Sequence, residues 1–142
     1  VIGDARLRLA EAAEGGFDLL ILDAFSSDTI PSHLLTREAI ELYWSKLRAD
    51  GMLVFNVSSR YFDFRPLLGA LARESGASAY FIEHDMSEEE TERTGAAPSS
   101  WIVMVRSGGV FSALAEDKSW TPIEDKGTKA WTDDYSNILS LF

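Results

Sequence analysis

Four consecutive apolar residues, Leu19-Leu20-Ile21-Leu22, end at a carboxylate, Asp23. A short block that is apolar on both faces fits a strand buried between helices, as in a parallel sheet; a strand with one wet face would alternate instead. The segments around it follow a regular order. Residues 4–14 place Ala5, Leu9, Ala12 and Ala13 at helical spacing, and Gly15-Gly16 supplies a stop. Residues 36–48 carry one apolar stripe of Ile40, Tyr43, Trp44 and Leu47. Glu38 lies in the first turn there, and Lys46 and Arg48 in the last, where they complement the helix dipole. Asp50-Gly51 turns the chain into a second apolar strand, 52–57. Pro66 opens another helix, with Leu67, Leu68 and Leu71 inward and Gly76 as its stop. Further strands are predicted at 79–82 and 101–105, and a short helix at 110–116. Strand and helix therefore alternate, which predicts an α/β sheet flanked by helices on both faces.

The stretch 83–98 is rich in Glu, Thr, Ser and Ala and predicts a mobile acidic loop with room for a helical turn. Residues 117–142 read as a polar tail containing Trp131-Thr132-Asp133-Asp134-Tyr135. A length of 142 residues fits one domain. No apolar run approaches the roughly 18 residues of a membrane span. The chain has no cysteine, so disulfides, thiolate metal sites and a cysteine nucleophile are excluded. That composition suits a reducing compartment, and a cytoplasmic location is expected. The formal net charge of −10 argues against nucleic acid as a partner and suits a small cationic substrate. Acidity also serves solubility alone.

In open α/β sheets, ligands bind outside the carboxyl ends of the strands. Two polar stretches leave such ends here. One runs from Asp23 through Ser26, Ser27 and Asp28, and the other is Asn56-Val57-Ser58-Ser59-Arg60. Asp23 and Asp28 suit either a site or a turn, where Asp is a good cap. Ser26 and Ser27 have no histidine at motif spacing, so a serine nucleophile is not expected. Asn56, Ser58 and Arg60 could touch a substrate, but capping the strand end is the preferred reading. His33 and His84 are the only histidines and show no metal-ligand spacing, so no metal is expected. His33 is assigned a turn or surface role, and Glu88, Glu89 and Glu90 a solvated face. Asp133 and Asp134, flanked by Trp131 and Tyr135, would make a cation-binding corner or a docked tail with an Asp-capped turn.

Gly3-Asp4-Ala5-Arg6, Phe17-Asp18-Leu19-Leu20-Ile21-Leu22-Asp23, Ser26-Ser27-Asp28 and Asp50-Gly51 together resemble the spermidine synthase family. The pattern "DAFSSD-IP-HLLT-E" and the terminal "WTDDYSN" are most similar to its bacterial spermidine synthase-like branch, whose members often carry a membrane-embedded segment. The resemblance covers nearly all of the chain. It implies a Rossmann-like class I methyltransferase fold, a mostly parallel sheet with flanking helices. Residues 1–142 would be the carboxyl-terminal part of that catalytic domain, because the family's amino-terminal strands, glycine-rich loop and ribose-binding acid precede its "GDA" segment. The opening Val1-Ile2-Gly3-Asp4 agrees with that expectation, and Gly108-Gly109 is no substitute for the loop.

The implied chemistry is transfer of an aminopropyl group from decarboxylated S-adenosylmethionine to an amine of a polyamine such as putrescine, without a metal. By resemblance, Asp23 is the catalytic carboxylate, Asp28 grips the same amine beside Ser26 and Ser27, and Asp4 and Ala5 contact the adenine. Asp4 would serve equally as an N-cap, and both roles can coexist. The family's Asp-Ser-Ser-Asp-Pro is altered here: Ala24-Phe25 intervene and Thr29 replaces the proline, which leaves the acceptor open. A homodimer is expected, with pairing at an exposed sheet edge. No membrane contact by this segment is expected, although the parent protein could carry a membrane segment. The rival readings are a methyltransferase using intact S-adenosylmethionine and a non-catalytic polyamine- or nucleoside-binding domain, since one fold hosts many activities.

Overall fold

The structure is a computed structural model that describes residues 4–23, 32–59, 61–106, 109–124 and 127–142. Helix α1 (Ala5–Ala10) is started by Asp4, whose Oδ1 accepts from the Arg6 and Leu7 N–H groups at 2.9 and 3.2 Å. Its far end is met by a side chain from the next helix. Lys46 Nζ donates to the Ala10 and Ala12 carbonyls at 3.1 and 2.7 Å, so a buried cation faces the negative end of the helix. Strand β1 (Phe17–Leu22) follows, and then a 3-10 turn (Ser32–Leu34) leads into α2 (Arg37–Lys46). The Thr36 hydroxyl caps α2 by accepting from the Ala39 N–H at 3.2 Å. The stripe read from the sequence is buried at Ile40, Tyr43, Trp44 and Leu47.

Strand β2 (Leu47–Asn56) begins where α2 ends. A Cβ on Gly51 would stand 3.0 Å from the Leu47 side chain and 3.1 Å from the Arg48 carbonyl, a tight fit in the stretch where the β1–β2 register shifts. Then come α3 (Arg65–Glu74), β3 (Ser78–His84), α4 (Glu88–Thr94), β4 (Ser99–Val105), α5 (Gly109–Glu116) and the two-residue β5 (Thr121–Pro122).

The strands lie in the order β1-β2-β4-β3-β5. The expected α/β architecture is present, but the described sheet is mixed rather than mostly parallel. Only β1 and β2 pair in parallel, with Leu20 opposite Leu53 and Leu22 opposite Phe55. β4 is antiparallel to both β2 and β3, and β5 is antiparallel to β3. The reason lies in the connections: β4 returns alongside β3, whereas a parallel neighbour needs a crossover. β1, β2 and β3 still share one direction, so their carboxyl ends share one rim.

The main core lies on the face covered by α2 and α3, and includes Tyr43, Leu53, Phe55, Leu67, Leu68, Ile102 and Met104. A smaller cluster of Tyr80, Val103 and Val105 occupies the other face. β1 departs from the expectation of burial on both sides. Leu20 and Leu22 pack against the core, but Phe17, Leu19 and Ile21 are 37%, 41% and 56% exposed, because no described element covers their face. Among the described residues, no helix is long and apolar enough to cross a membrane.

Two expectations are corrected. The stretch 83–98 contains α4, closed by a reciprocal capping box: Glu90 N–H donates to Ser87 Oγ at 3.2 Å and Ser87 N–H to Glu90 Oε2 at 3.0 Å. Gly95, at φ 70°, ends it in the left-handed conformation. Glu88, Glu89 and Glu90 are exposed, as expected. The region read as a polar tail also buries Ala130, Trp131 and Leu141 in the main core. Its other large apolar residues, Ile138, Leu139 and Phe142, stay exposed, so Trp131 is its main anchor. Replacing Trp131 by Ala should therefore cost about 3–5 kcal/mol, the usual range for removing a buried aromatic ring. Chemical denaturation checks this; a loss below about 1 kcal/mol would mean that the segment only rests on the surface.

Candidate functional site

Parallel pairing of β1 and β2 brings two predicted rim residues together. Asp23 is the first residue beyond β1, and Asn56 is the last of β2. Asn56 Nδ2 donates to Asp23 Oδ1 at 2.8 Å. Asn56 Oδ1 accepts from the Ser58 N–H at 3.1 Å and from Ser58 Oγ–H at 2.6 Å, and Ser58 Oγ accepts from the Ser100 N–H at 2.9 Å. Asn56 and Ser58, read as caps of a strand end, do cap it, and they also hold Asp23.

Beside Asp23 lies a cavity of about 280 Å³ lined by Ala5, Leu9, Leu20, Ile21, Leu22, Leu34 and Tyr43. Its volume is just below the roughly 300–1,000 Å³ of ligand pockets, and among the described residues Asp23 is the one carboxylate that lines it. Tyr43 donates its hydroxyl to the Leu34 carbonyl at 3.2 Å, and burial pushes the phenol pKa up, so the hydroxyl stays protonated. Ala5 and Asp23, assigned to cofactor and catalysis, thus share one pocket. Its walls are mostly apolar, with the Asp23 carboxylate among them.

Asp4 stands at the start of α1 as a cap, with Oδ2 3.3 Å from His33 Nε2. Asp28, Ser26 and Ser27, together with Ala24, Phe25, Thr29 and Arg60, lie outside the described residues. Among the described residues, no group of three or more His, Asp or Glu is placed to hold a metal ion.

The 131–137 segment resolves into a docked element. Arg6 clamps Asp133 through two parallel bonds, Nη1 to Oδ1 at 2.7 Å and Nη2 to Oδ2 at 2.8 Å. Thr36 Oγ1 also donates to Asp133 Oδ1 at 2.7 Å, and the Asp133 N–H donates to Glu38 Oε2 at 3.0 Å. The Arg37 N–H reaches the Trp131 carbonyl at 2.8 Å. The cations of the supposed cation corner come from the chain itself: Arg6 meets Asp133, and Lys129 Nζ lies 3.8 Å from the Tyr135 ring centroid. Sequence reasoning missed Arg6 and Thr36 as partners. The one available signal was Arg6 inside the quoted "GDAR" motif.

A second rim cavity, about 310 Å³, is lined by residues including Ser59, Phe62, Phe81, Glu83 and Ser100. Arg65 occupies its wall, paired with Asp63 at 2.8 Å and 5.0 Å above the Phe81 ring.

No protein-family model matches the chain. Over 59 residues, 40% of this chain and 20% of the other, it is 41% identical to the polyamine aminopropyltransferase of Vibrio vulnificus. A probable spermidine synthase from Corynebacterium glutamicum has a similar structure, with a TM-score of 0.59 and 18% identity, over 96% of this chain and 54% of that one. A spermidine synthase from Thermotoga maritima is more distant, with a TM-score of 0.47 and 15% identity over 94% and 43% of the two chains. The chain thus spans about half the length of the Corynebacterium structure. The resemblance to spermidine synthases is borne out in sequence over those 59 residues, and the α/β fold over nearly the whole chain.

The Asp133 knot has a pH signature. Hydrogen bonds from Arg6 and Thr36 hold the Asp133 carboxyl down to about 2, from 3.8 for an unperturbed Asp. A carboxyl depressed in the folded state contributes its full stability above the unfolded value and loses it as pH falls through the folded one. Asp133 is 46% exposed, so solvent screening reduces the contribution to about 1 kcal/mol. Asp133→Asn should flatten the loss of stability between about pH 4 and 2. Urea unfolding at a series of pH values checks this, and an unchanged acid limb would refute it.

Proposed function

We propose that the chain is the carboxyl-terminal part of a catalytic domain that transfers an aminopropyl group from decarboxylated S-adenosylmethionine to an amine of a polyamine. The observation that carries this reading is Asp23, the one carboxylate among the described residues that line an apolar pocket on the rim where sheets of this kind bind ligands. The similarity to the Vibrio polyamine aminopropyltransferase adds support. The pocket wall formed by Ala5, Leu9, Leu20 and Leu22 would hold the adenine, with Asp4 as its partner, and the family resemblance assigns acceptor binding to Asp28, Ser26 and Ser27.

An alkylamine has a free pKa near that of lysine, about 10.4, and arrives protonated at neutral pH. Asp23 attracts that cation, orients one N–H and accepts its proton. The donor supplies a carbon activated by its sulfonium. The freed nitrogen lone pair forms the C–N bond while the C–S pair departs onto sulfur as a neutral thioether. A net charge of −10 draws polycations toward the protein.

The finer parts of the reading are a cytoplasmic setting, which suits a chain without cysteine, a parent protein of the membrane-attached branch, and a homodimer. The uncovered face of β1 supports association. Sedimentation over a range of concentrations should show self-association, and a strictly monomeric profile would contradict it.

In the protein carrying the complete domain, Asp23→Asn should lower kcat/KM for decarboxylated S-adenosylmethionine and putrescine by about a hundred- to ten-thousandfold, with the circular dichroism spectrum preserved. Turnover of intact S-adenosylmethionine, with none of the decarboxylated form, would overturn the proposal in favour of methyl transfer.

A further inference from the structure

We infer that Asn56 is a positioning residue for Asp23, and that its hold on the carboxylate is set from β4 through Ser58. The inference rests on the reading of Asp23 as the proton acceptor.

The polarity of the contacts carries it. A backbone N–H can only donate, and that of Ser100 donates to Ser58 Oγ at 2.9 Å. The single proton of Ser58 is therefore left for Asn56 Oδ1, at 2.6 Å. The Ser58 N–H meets the same atom at 3.1 Å. Two donors converging on one amide atom fix that atom as oxygen, and the NH2 group must face Asp23 Oδ1, at 2.8 Å. A flipped amide would set oxygen against carboxylate and NH2 against two donors.

The hydrogen bonds therefore run in one direction, from β4 through the end of β2 to Asp23, and each polarises the next. Oδ1 of Asp23 is held as an acceptor, which leaves Oδ2 for the N–H of an incoming ammonium and for its proton. Among the described residues, no other hydrogen bond reaches Asp23. An aspartate at position 56 would bring two carboxylates together, so an amide is the group of this size that both accepts from Ser58 and donates to Asp23.

Two measurements test this. In the chain itself, three-bond Hα–Hβ couplings report the Asp23 χ1 rotamer by NMR. One rotamer should dominate in the native chain and average out in both Asn56→Leu and Ser58→Ala. Ser58→Thr, which keeps the hydroxyl, should restore it. Unchanged couplings in Asn56→Leu and Ser58→Ala would overturn the inference; Ser58→Ala serves alone if Asn56→Leu does not fold.

In the protein with the complete domain, Asn56→Leu should lower kcat about tenfold and leave KM for the amine within about threefold. It should cost nothing further in an Asp23→Ala background, because positioning has no value without the group positioned. Additive losses would overturn the inference. Rotamer averaging in a protein that does not turn over decarboxylated S-adenosylmethionine would uphold the positioning and reject the reaction.

Discussion

Three segments far apart in the sequence meet at the Asp133 carboxylate: Arg6 from α1, Thr36 from the cap of α2, and the carboxyl-terminal segment itself. Helix α1 has six residues, none fully buried, and of its apolar residues Leu9 packs partly on the core, so helix propensity and apolar burial alone hold it weakly. Polar contacts at its two ends add to that hold, Arg6 on Asp133 at one and Lys46 on the Ala10 and Ala12 carbonyls at the other. Isolated surface ion pairs contribute little. A bidentate arginine sharing its carboxylate with a hydroxyl is stronger and sets direction as well as distance. Ala5 and Leu9 of this helix form one wall of the Asp23 pocket. The shape of the pocket thus depends on a charged contact made 127 positions along the chain.

That separation explains which parts of the structure were legible in the sequence. Local signals were: apolar blocks gave the strands, and the stripe through Ile40, Tyr43 and Trp44 gave α2. The Ser87-to-Glu90 capping box was also present in the sequence, but three adjacent glutamates and the lack of an apolar stripe obscured α4. Strand direction is not written in any strand's composition, so the antiparallel insertion of β4 could not be read from Trp101-Ile102-Val103-Met104-Val105. The bare face of β1 escaped notice for a related reason, since an apolar block reports what can be buried and not what covers it. Trp131 lay within a polar stretch, and its burial depends on the knot that anchors the segment.

The site was legible to a similar depth. The rule that ligands gather at the carboxyl ends of strands brought Asp23 and Asn56 to one rim. Their direct contact depends on register, because Leu22 stands opposite Phe55 and the residues that follow each are therefore adjacent. A shift of one residue would point Asn56 to the other face of the sheet.

The same register shows why a rim carboxylate needs a partner of this kind. Asp23 is one residue past the last backbone pairing of β1, where the ladder no longer fixes the chain. Asn56 still belongs to β2, opposite Trp101 of β4, and Ser58 is tied to Ser100. The sequence from Ser100 through Ser58 and Asn56 to Asp23 continues the sheet's hydrogen bonding in side-chain form beyond its backbone end. Sites supported by strands hold their geometry more tightly than sites carried on loops alone. An acidic surface attracts cations everywhere at once, whereas a carboxylate whose Oδ1 is held from the sheet presents its other oxygen at one defined point on the rim.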